Sequence, residues 1–350
     1  MTDRKDSNPR QIVLRLGVMS FSSILGHETI ISGLKGTFER QRVSHAYLFS
    51  GPKGVGKARV AEAFIQLLSC TEPSEHLDPC GECRTCRLLA KGTHPDLRSL
   101  EPDGRFIKID QIRELTRSLR YPPVEAKTRA VLIDGAEAMH EAAANALLKT
   151  LEEPSARTVF ILITDQPNAL LATIRSRCQQ IRFTALSRDH VREWLSAEKN
   201  LTGDKADELA AMSGGSLRKA ENLLDPEMTS LRQRWLDALS QLAHISPTQL
   251  LELANELSAA KAAIPSALDA LRIGLRDSLL RSAGASEEQL TFRQTRADQL
   301  PILRTEDALT ALELIHDSEI ALRGNVNPRM VSEHLLMGLR RSIRASEENA

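Results

Sequence analysis

Between about residues 21 and 183, short apolar runs of β type alternate with stretches whose apolar residues recur at helical spacing. Four runs read as strands, at 46–49, 96–100, 130–133 and 159–163. Strands separated by helices predict an α/β domain built on a parallel sheet with helices on both faces. Such sheets bind ligands at the carboxyl ends of their strands. Beyond Ala185 the strand signals fade. Leu231, Trp235, Leu236, Leu239 and Leu242 form one helical stripe, and Leu309, Leu312, Ile315, Ile320 and Leu322 lie in a second helical stretch. Gly214-Gly215 and Asp225-Pro226 punctuate this half. The expected order is a flexible polar lead-in over 1–20, an α/β domain over 21–185, a small helical lid over 186–228 and a larger all-α domain over 229–345.

Charge narrows the partners. Lys and Arg number 46, Asp and Glu 46, so the 350-residue chain carries no formal net charge. A protein that grips duplex DNA by neutralising phosphates usually shows a basic excess. Any DNA contact is therefore expected to be local or made through partners. Apolar runs fall short of the roughly 18–20 residues of a membrane span, and Arg15 breaks the short Ile12-Val13-Leu14 stretch where a signal-peptide core would lie. No membrane contact and a cytoplasmic location are expected.

The strand at 46–49 runs into Gly51-Pro52-Lys53-Gly54-Val55-Gly56-Lys57, a G-x-x-x-x-G-K phosphate loop with a helical pattern after it. Gly51, Gly54 and Gly56 let backbone N–H groups approach phosphates, and Lys57 would reach the β- and γ-phosphates of ATP or ADP. A working loop follows its lysine with Ser or Thr, whose hydroxyl ligates Mg²⁺. Here that residue is Ala58. The strand at 130–133 ends in Asp134, the usual second Mg²⁺ contact, but the next residue is Gly135 where an ATPase of this type carries Glu to orient the attacking water. Glu137, two residues on, would need an unusual turn to substitute. Nucleotide binding stays possible; hydrolysis is not expected.

Four of the five cysteines cluster: Cys70, Cys80, Cys83 and Cys86. In a reducing compartment such a cluster points to a metal rather than to disulfides. Four thiolates select tetrahedral Zn²⁺ and leave no open position, so the site would be structural. Gly81 allows the tight turn, and Arg84 and Arg87 can offset the thiolate charge. The rival reading is a set of ordinary buried cysteines, but Asp78, Pro79, Glu82 and Arg84 make this a polar excursion. A separate reading is a nucleic-acid knuckle, but no aromatic residue lies between Cys70 and Lys91 to stack on a base. Cys178 stands apart and reads as a core thiol.

Further segments carry a resemblance. Asn145-Ala146-Leu147-Leu148-Lys149-Thr150-Leu151-Glu152-Glu153-Pro154, Ser176-Arg177-Cys178, His45-Ala46-Tyr47-Leu48-Phe49, the cysteine cluster and Asn325-Val326-Asn327-Pro328-Arg329 are similar to segments of the bacterial clamp-loader subunits of DNA polymerase III, the gamma/tau and delta-prime types. The likeness runs from Ile24 to about Leu339. The degraded nucleotide site favours the delta-prime type, as does the absence of length for a tau-type tail.

The resemblance implies an AAA+ P-loop module with a parallel sheet, a helical lid and an all-α collar that joins gamma/tau and delta subunits in a five-subunit ring. It implies a non-hydrolysing stator that helps load the sliding clamp onto primer–template DNA, as a component of the DNA-directed DNA polymerase (nucleotidyltransferase) holoenzyme. Arg177 would be an arginine finger reaching the neighbour's ATP; its rival reading is a surface arginine that caps a helix or pairs with a carboxylate. Thr164 matches the sensor-1 position. Arg218, in Gly215-Ser216-Leu217-Arg218, matches sensor 2, or else solvates a helix face. The alternative function is an active gamma/tau-type ATPase, which Ala58 and Gly135 oppose. A small-molecule P-loop kinase would need neither the Ser-Arg-Cys motif nor the cysteine cluster.

Overall fold

The computed structural model describes residues 19–155, 157–259, 264–286, 289–292, 299–324 and 326–348. The expected lead-in falls outside these residues up to position 18, as does Asn325. The chain divides into two compact units, one of residues 1–194 with 215–218, the other of 195–214 with 219–350.

The first unit holds five strands, β1 (Ala46–Ser50), β2 (Leu97–Leu100), β3 (Arg129–Asp134), β4 (Thr158–Thr164) and β5 (Gln179–Arg182). They lie in the order β2-β3-β4-β1-β5, and every pairing is parallel. All five residues of β1 and all seven of β4 are buried. That is why these strands read as unbroken apolar runs: both faces are covered. Successive side chains still part to opposite faces. Tyr47, Phe49, Leu132, Ile161 and Ile163 pack into one core with α1 (Glu28–Glu39) and α2 (Lys57–Ser69). Leu48, Val131, Ile133, Phe160 and Leu162 pack into the other, where Ile112, Leu115, Leu147 and Leu151 meet them. The last four project from two helices on that face. With the short α3 (Arg84–Ala90) counted in chain order, these are α4 (Ile109–Ser118) and α5 (Glu141–Glu152).

The structure adds β5 to the four strands legible in the sequence. Gln179, Gln180 and Arg182 are exposed and only Ile181 is half-buried, because β5 is an edge strand paired with β1 alone. An edge strand carries no apolar run to read. β5 follows the four-residue α6 (Ala172–Arg175). At the opposite edge β2 begins at Leu97 rather than Asp96, whose carboxylate instead accepts hydrogen bonds from the N–H groups of Val124, Glu125 and Ala126 at 2.7, 2.7 and 2.8 Å.

After α7 (Arg188–Lys199), α8 (Asp204–Ser213) and the short α9 (Leu217–Asn222), the elements that follow among the described residues are all helices: α10 (Pro226–Gln241), α11 (Pro247–Ala259), α12 (Ile264–Ser282), α13 (Thr305–Arg323) and α14 (Pro328–Glu348). Gly214, at φ 59°, ends α8 in the left-handed conformation that glycine adopts freely. Asp225 starts α10 by accepting a 3.0 Å hydrogen bond from the Glu227 N–H, with Pro226 in the first turn. Trp235, Leu236, Leu239 and Leu242 sink into one core with Leu268, Leu271, Leu335 and Leu339. The α13 stripe divides: Ile315 is fully buried whereas Leu309 and Ile320 face solvent. Among the described residues no helix is long and apolar enough to cross a membrane.

Candidate nucleotide site, arginine and metal centre

β1 delivers the chain into the loop 51–57 at the carboxyl edge of the sheet, and α2 begins on Lys57 with Gly56 as its N-cap. The glycines are demanded by space and by backbone. A Cβ on Gly51 would lie 2.3 Å from the Phe183 carbonyl oxygen, and one on Gly54 would lie 2.4 Å from Ser216 Oγ. Gly56 has room but stands at φ 106°. The Leu217 N–H donates to the Gly54 carbonyl at 2.9 Å, so residues 215–218 rest on the loop. This brings Arg218 beside the predicted glycines: its Cβ would come within 2.8 Å of a Cβ on Gly54.

Lys57 is almost fully buried. Its ammonium donates to the carbonyls of Gly51 and Pro52 at 2.6 and 2.7 Å. Burial pulls its pKa down, against the opposing pull of Asp165, Asp134 and Glu137. The next side chain, Ala58, is a methyl group with no oxygen for a metal.

Asp134 ends β3 and Thr164 ends the neighbouring β4, so two of the predicted groups stand at one edge. Between Asp134 and the next helix the chain makes a 3-10 turn over Ala136–Ala138, closed by a 2.9 Å hydrogen bond from the Ala138 N–H to the Gly135 carbonyl. Gly135 starts it at φ 72° and ψ 42°. This turn brings Glu137 next to Thr164 and Asp165. Burial pushes the Glu137 pKa up, and the neighbouring Asp165 pushes it further in the same direction.

Two acids near this edge escape sequence reasoning. Glu62, on the second turn of α2, is buried, and its carboxyl is pushed up to about 7 by burial first, with Asp134 and Glu101 adding repulsion and Arg59 opposing. Glu101 is raised by burial and by Asp134, while Arg218 pulls it down. Neither belongs to a motif that the sequence displays.

Arg177 lies two residues past α6. Its guanidinium is ion-paired with Glu152, Nη2 to Oε1 at 2.5 Å, and donates from Nη1 to the Thr173 carbonyl at 2.9 Å, and 34% of the side chain is exposed. It thus caps a helix end and pairs with a carboxylate at once. The neighbouring Cys178 is buried, and burial pushes its thiol up to about 12.

The four clustered cysteines converge. Their sulfur atoms all lie within 4.8 Å of one another. Cys70 caps the end of α2 and Cys83 caps the start of α3. Backbone N–H groups point at the sulfurs: Cys80 at Cys70 Sγ (3.4 Å), Cys83 at Cys80 Sγ (3.3 Å) and Cys86 at Cys83 Sγ (3.4 Å). Such donors orient thiolates and offset their charge. Burial raises the Cys70 and Cys86 thiols; burial acts on Cys83 too, but hydrogen bonds from Thr71 and Cys86 bring it down to about 6. Gly81 turns the chain at φ 74°. Arg84 faces Glu125 at 3.1 Å instead of the sulfurs. Four sulfurs at these spacings could hold a metal ion, and the donor set fits a soft tetrahedral one. Cys178 is not among them.

Comparison with known proteins then places the chain. A family described as "DNA polymerase III, delta subunit" matches residues 26–187. DNA polymerase III subunit delta' of Pseudomonas aeruginosa is 40% identical over 206 residues, which are 58% of this chain and 62% of that protein. Subunit tau/gamma of Haemophilus influenzae is 35% identical over 211 residues, 59% of this chain but 30% of that protein. These two matches span less than two thirds of the relatives concerned. Subunit delta' of Bacillus subtilis is 31% identical over 312 residues, 87% of this chain and 94% of that protein. With that near-full-length match beside the five-stranded parallel sheet and the phosphate loop, the chain belongs to the delta-prime family of bacterial DNA polymerase III subunits.

Proposed function

We propose that the chain is a non-hydrolysing stator of a DNA polymerase III clamp loader, against which ATP-driven gamma/tau-type subunits work as the sliding clamp is opened and set on primed DNA. The observation that carries this reading is the pair Ala58 and Gly135. The first removes the hydroxyl that would ligate Mg²⁺, and the second puts a left-handed glycine where the water-orienting acid belongs. Glu137 does not make good the loss: it sits two residues on, within the 3-10 turn beside Thr164 and Asp165, where burial disfavours its charged form. The retained cradle, with Lys57, Asp134, Thr164 and Arg218, supports binding of ATP or ADP without turnover.

Arg177 is the group this subunit would supply in trans to a neighbour's ATP, and such a finger is worth roughly 10³–10⁵ in hydrolysis rate. Cys70, Cys80, Cys83 and Cys86 would hold a structural zinc. Beyond a lid over 186–228, the helical collar over 229–345 would join gamma/tau and delta in the five-membered ring, in the cytoplasm, with DNA reached through the assembly. The tau/gamma likeness favours a second reading, an active ATPase. Steady-state hydrolysis separates the two. The purified chain with Mg²⁺ should turn over negligibly, and Arg177→Ala should slow the assembled complex. Motor-like turnover by the lone chain would refute the stator reading.

A further inference from the structure

We infer that Glu152 is the holding partner of Arg177, a second anion that competes with the neighbour's triphosphate for one guanidinium; this rests on the reading of Arg177 as a finger in trans. Glu152 is the last residue of α5, and Arg177 lies between α6 and β5. The two are 25 positions apart in sequence, yet Nη2 of Arg177 stands 2.5 Å from Glu152 Oε1. The other terminal nitrogen, Nη1, donates at 2.9 Å to the Thr173 carbonyl in the last turn of α6, which also accepts from Ser176 Oγ at 3.1 Å. Both terminal nitrogens are thus occupied by acceptors of this chain.

Two of its five N–H donors are committed to this chain, so turning the fork on a phosphate means giving these acceptors up. To act on a neighbour, Arg177 must leave Glu152 and the Thr173 carbonyl. The pair is built for release. Its side chains are 34% and 48% exposed, so water screens the attraction and solvates either partner once they part. A triphosphate with its metal presents more charge than one carboxylate, and an arginine fork fits phosphate and carboxylate oxygens equally well. Glu152 therefore sets a threshold: the finger swings across only when a neighbour holds a triphosphate, and falls back on Glu152 once the phosphate leaves. Glu152 touches no reacting atom and acts through Arg177 as a positioning residue.

The test uses the assembled complex with its ATP-hydrolysing subunits. Glu152→Gln keeps the shape of the side chain and removes the rival charge. The complex should then show a two- to fivefold lower KM for ATP with kcat nearly unchanged, and Glu152→Asp, which keeps the charge, should restore KM toward the parent value. A merely structural role would lower kcat or assembly and leave KM alone. If Glu152→Gln leaves both constants unchanged, or lowers kcat alone, while Arg177→Ala still slows hydrolysis, the holding role is wrong and the finger stands. If Arg177→Ala has no effect, the finger reading falls and the holding role falls with it.

Discussion

Gly135 faces Pro102 so closely that a Cβ on the glycine would lie 3.2 Å from Pro102 Cγ, and its backbone stands at φ 72°. An acid cannot simply be restored here. A left-handed residue other than glycine costs about 1–2 kcal/mol, and Pro102 adds crowding. Gly135→Glu is expected to lower stability by about 1–2 kcal/mol, read as a lower denaturation midpoint at unchanged slope. An unchanged midpoint would show that the turn relaxes and that Gly135 is not constrained.

Asp96 and Arg129 form a buried pair, with side chains 1% and 5% exposed and 3.7 Å between Arg129 Nη2 and Asp96 Oδ1. Arg129 also donates to the carbonyls of Ser118, Tyr121 and Pro122. Asp96→Ala would strand the guanidinium and release the loop amides that the carboxylate holds, at a cost of about 3–5 kcal/mol. Burial alone would raise the Asp96 pKa, but the amides of Ala126, Glu125 and Val124, and His94 beside them, bring it below the usual value. A depressed acid stabilises the fold above its unfolded pKa, about 3.9. The contribution is lost as pH falls through the lower folded value. Acid unfolding should therefore be shallower in Asp96→Ala than in the parent chain. Parallel acid titrations would contradict this.

Glu62 has the opposite sign. Its carboxyl rises from 4.5 to about 7 in the fold, so its contribution is intact below pH 4.5 and fades as pH climbs through 7. The gap is 2.5 pH units, on the order of 3 kcal/mol. Glu62→Gln should be more stable than the parent at pH 8, and the gain should vanish at pH 4.5. Thermal melts at the two pH values read it directly, and a gain of equal size at both would contradict the assignment.

Chelation should remove one metal ion per chain from the cysteine cluster and lower the melting temperature, because the ligands tie the end of α2 to the start of α3. Cys83→Ser should reproduce both effects, whereas Cys178→Ser should leave metal content unchanged. Elemental analysis of the purified chain decides: full metal occupancy in Cys83→Ser would exclude the proposed ligand set.

Much of this was legible before any coordinates. β1, β3 and β4 announce themselves because burial on both faces leaves each with an unbroken apolar run, and the glycines of the loop follow from spacing that any phosphate cradle needs. The cysteines converge as their spacing suggests. β5 was hidden because an edge strand with Gln179, Gln180 and Arg182 in solvent has no apolar signature. The Asp96–Arg129 pair was hidden for a different reason: polar residues that fold a loop onto a sheet edge follow no period. Glu62 sits among α2 residues buried all round the helix, so no polar face marks it out. The Glu152–Arg177 contact joins two motifs that the sequence displays separately, and only the packing of α5 beside α6 puts them within reach.

The parallel pairing of β1 with β5 has a geometric consequence. Tyr47 sits opposite Gln179 and Ser50 opposite Arg182. Arg177 therefore enters near the amino-terminal margin of the sheet, while Gly51 leaves from the carboxyl-terminal margin about six residues away. At about 3.3 Å per residue the two are roughly 20 Å apart, beyond the span of any arginine side chain. On the proposed reading of Arg177 as a finger, the triphosphate it meets is therefore one carried by a neighbour and not the one in this chain's own loop.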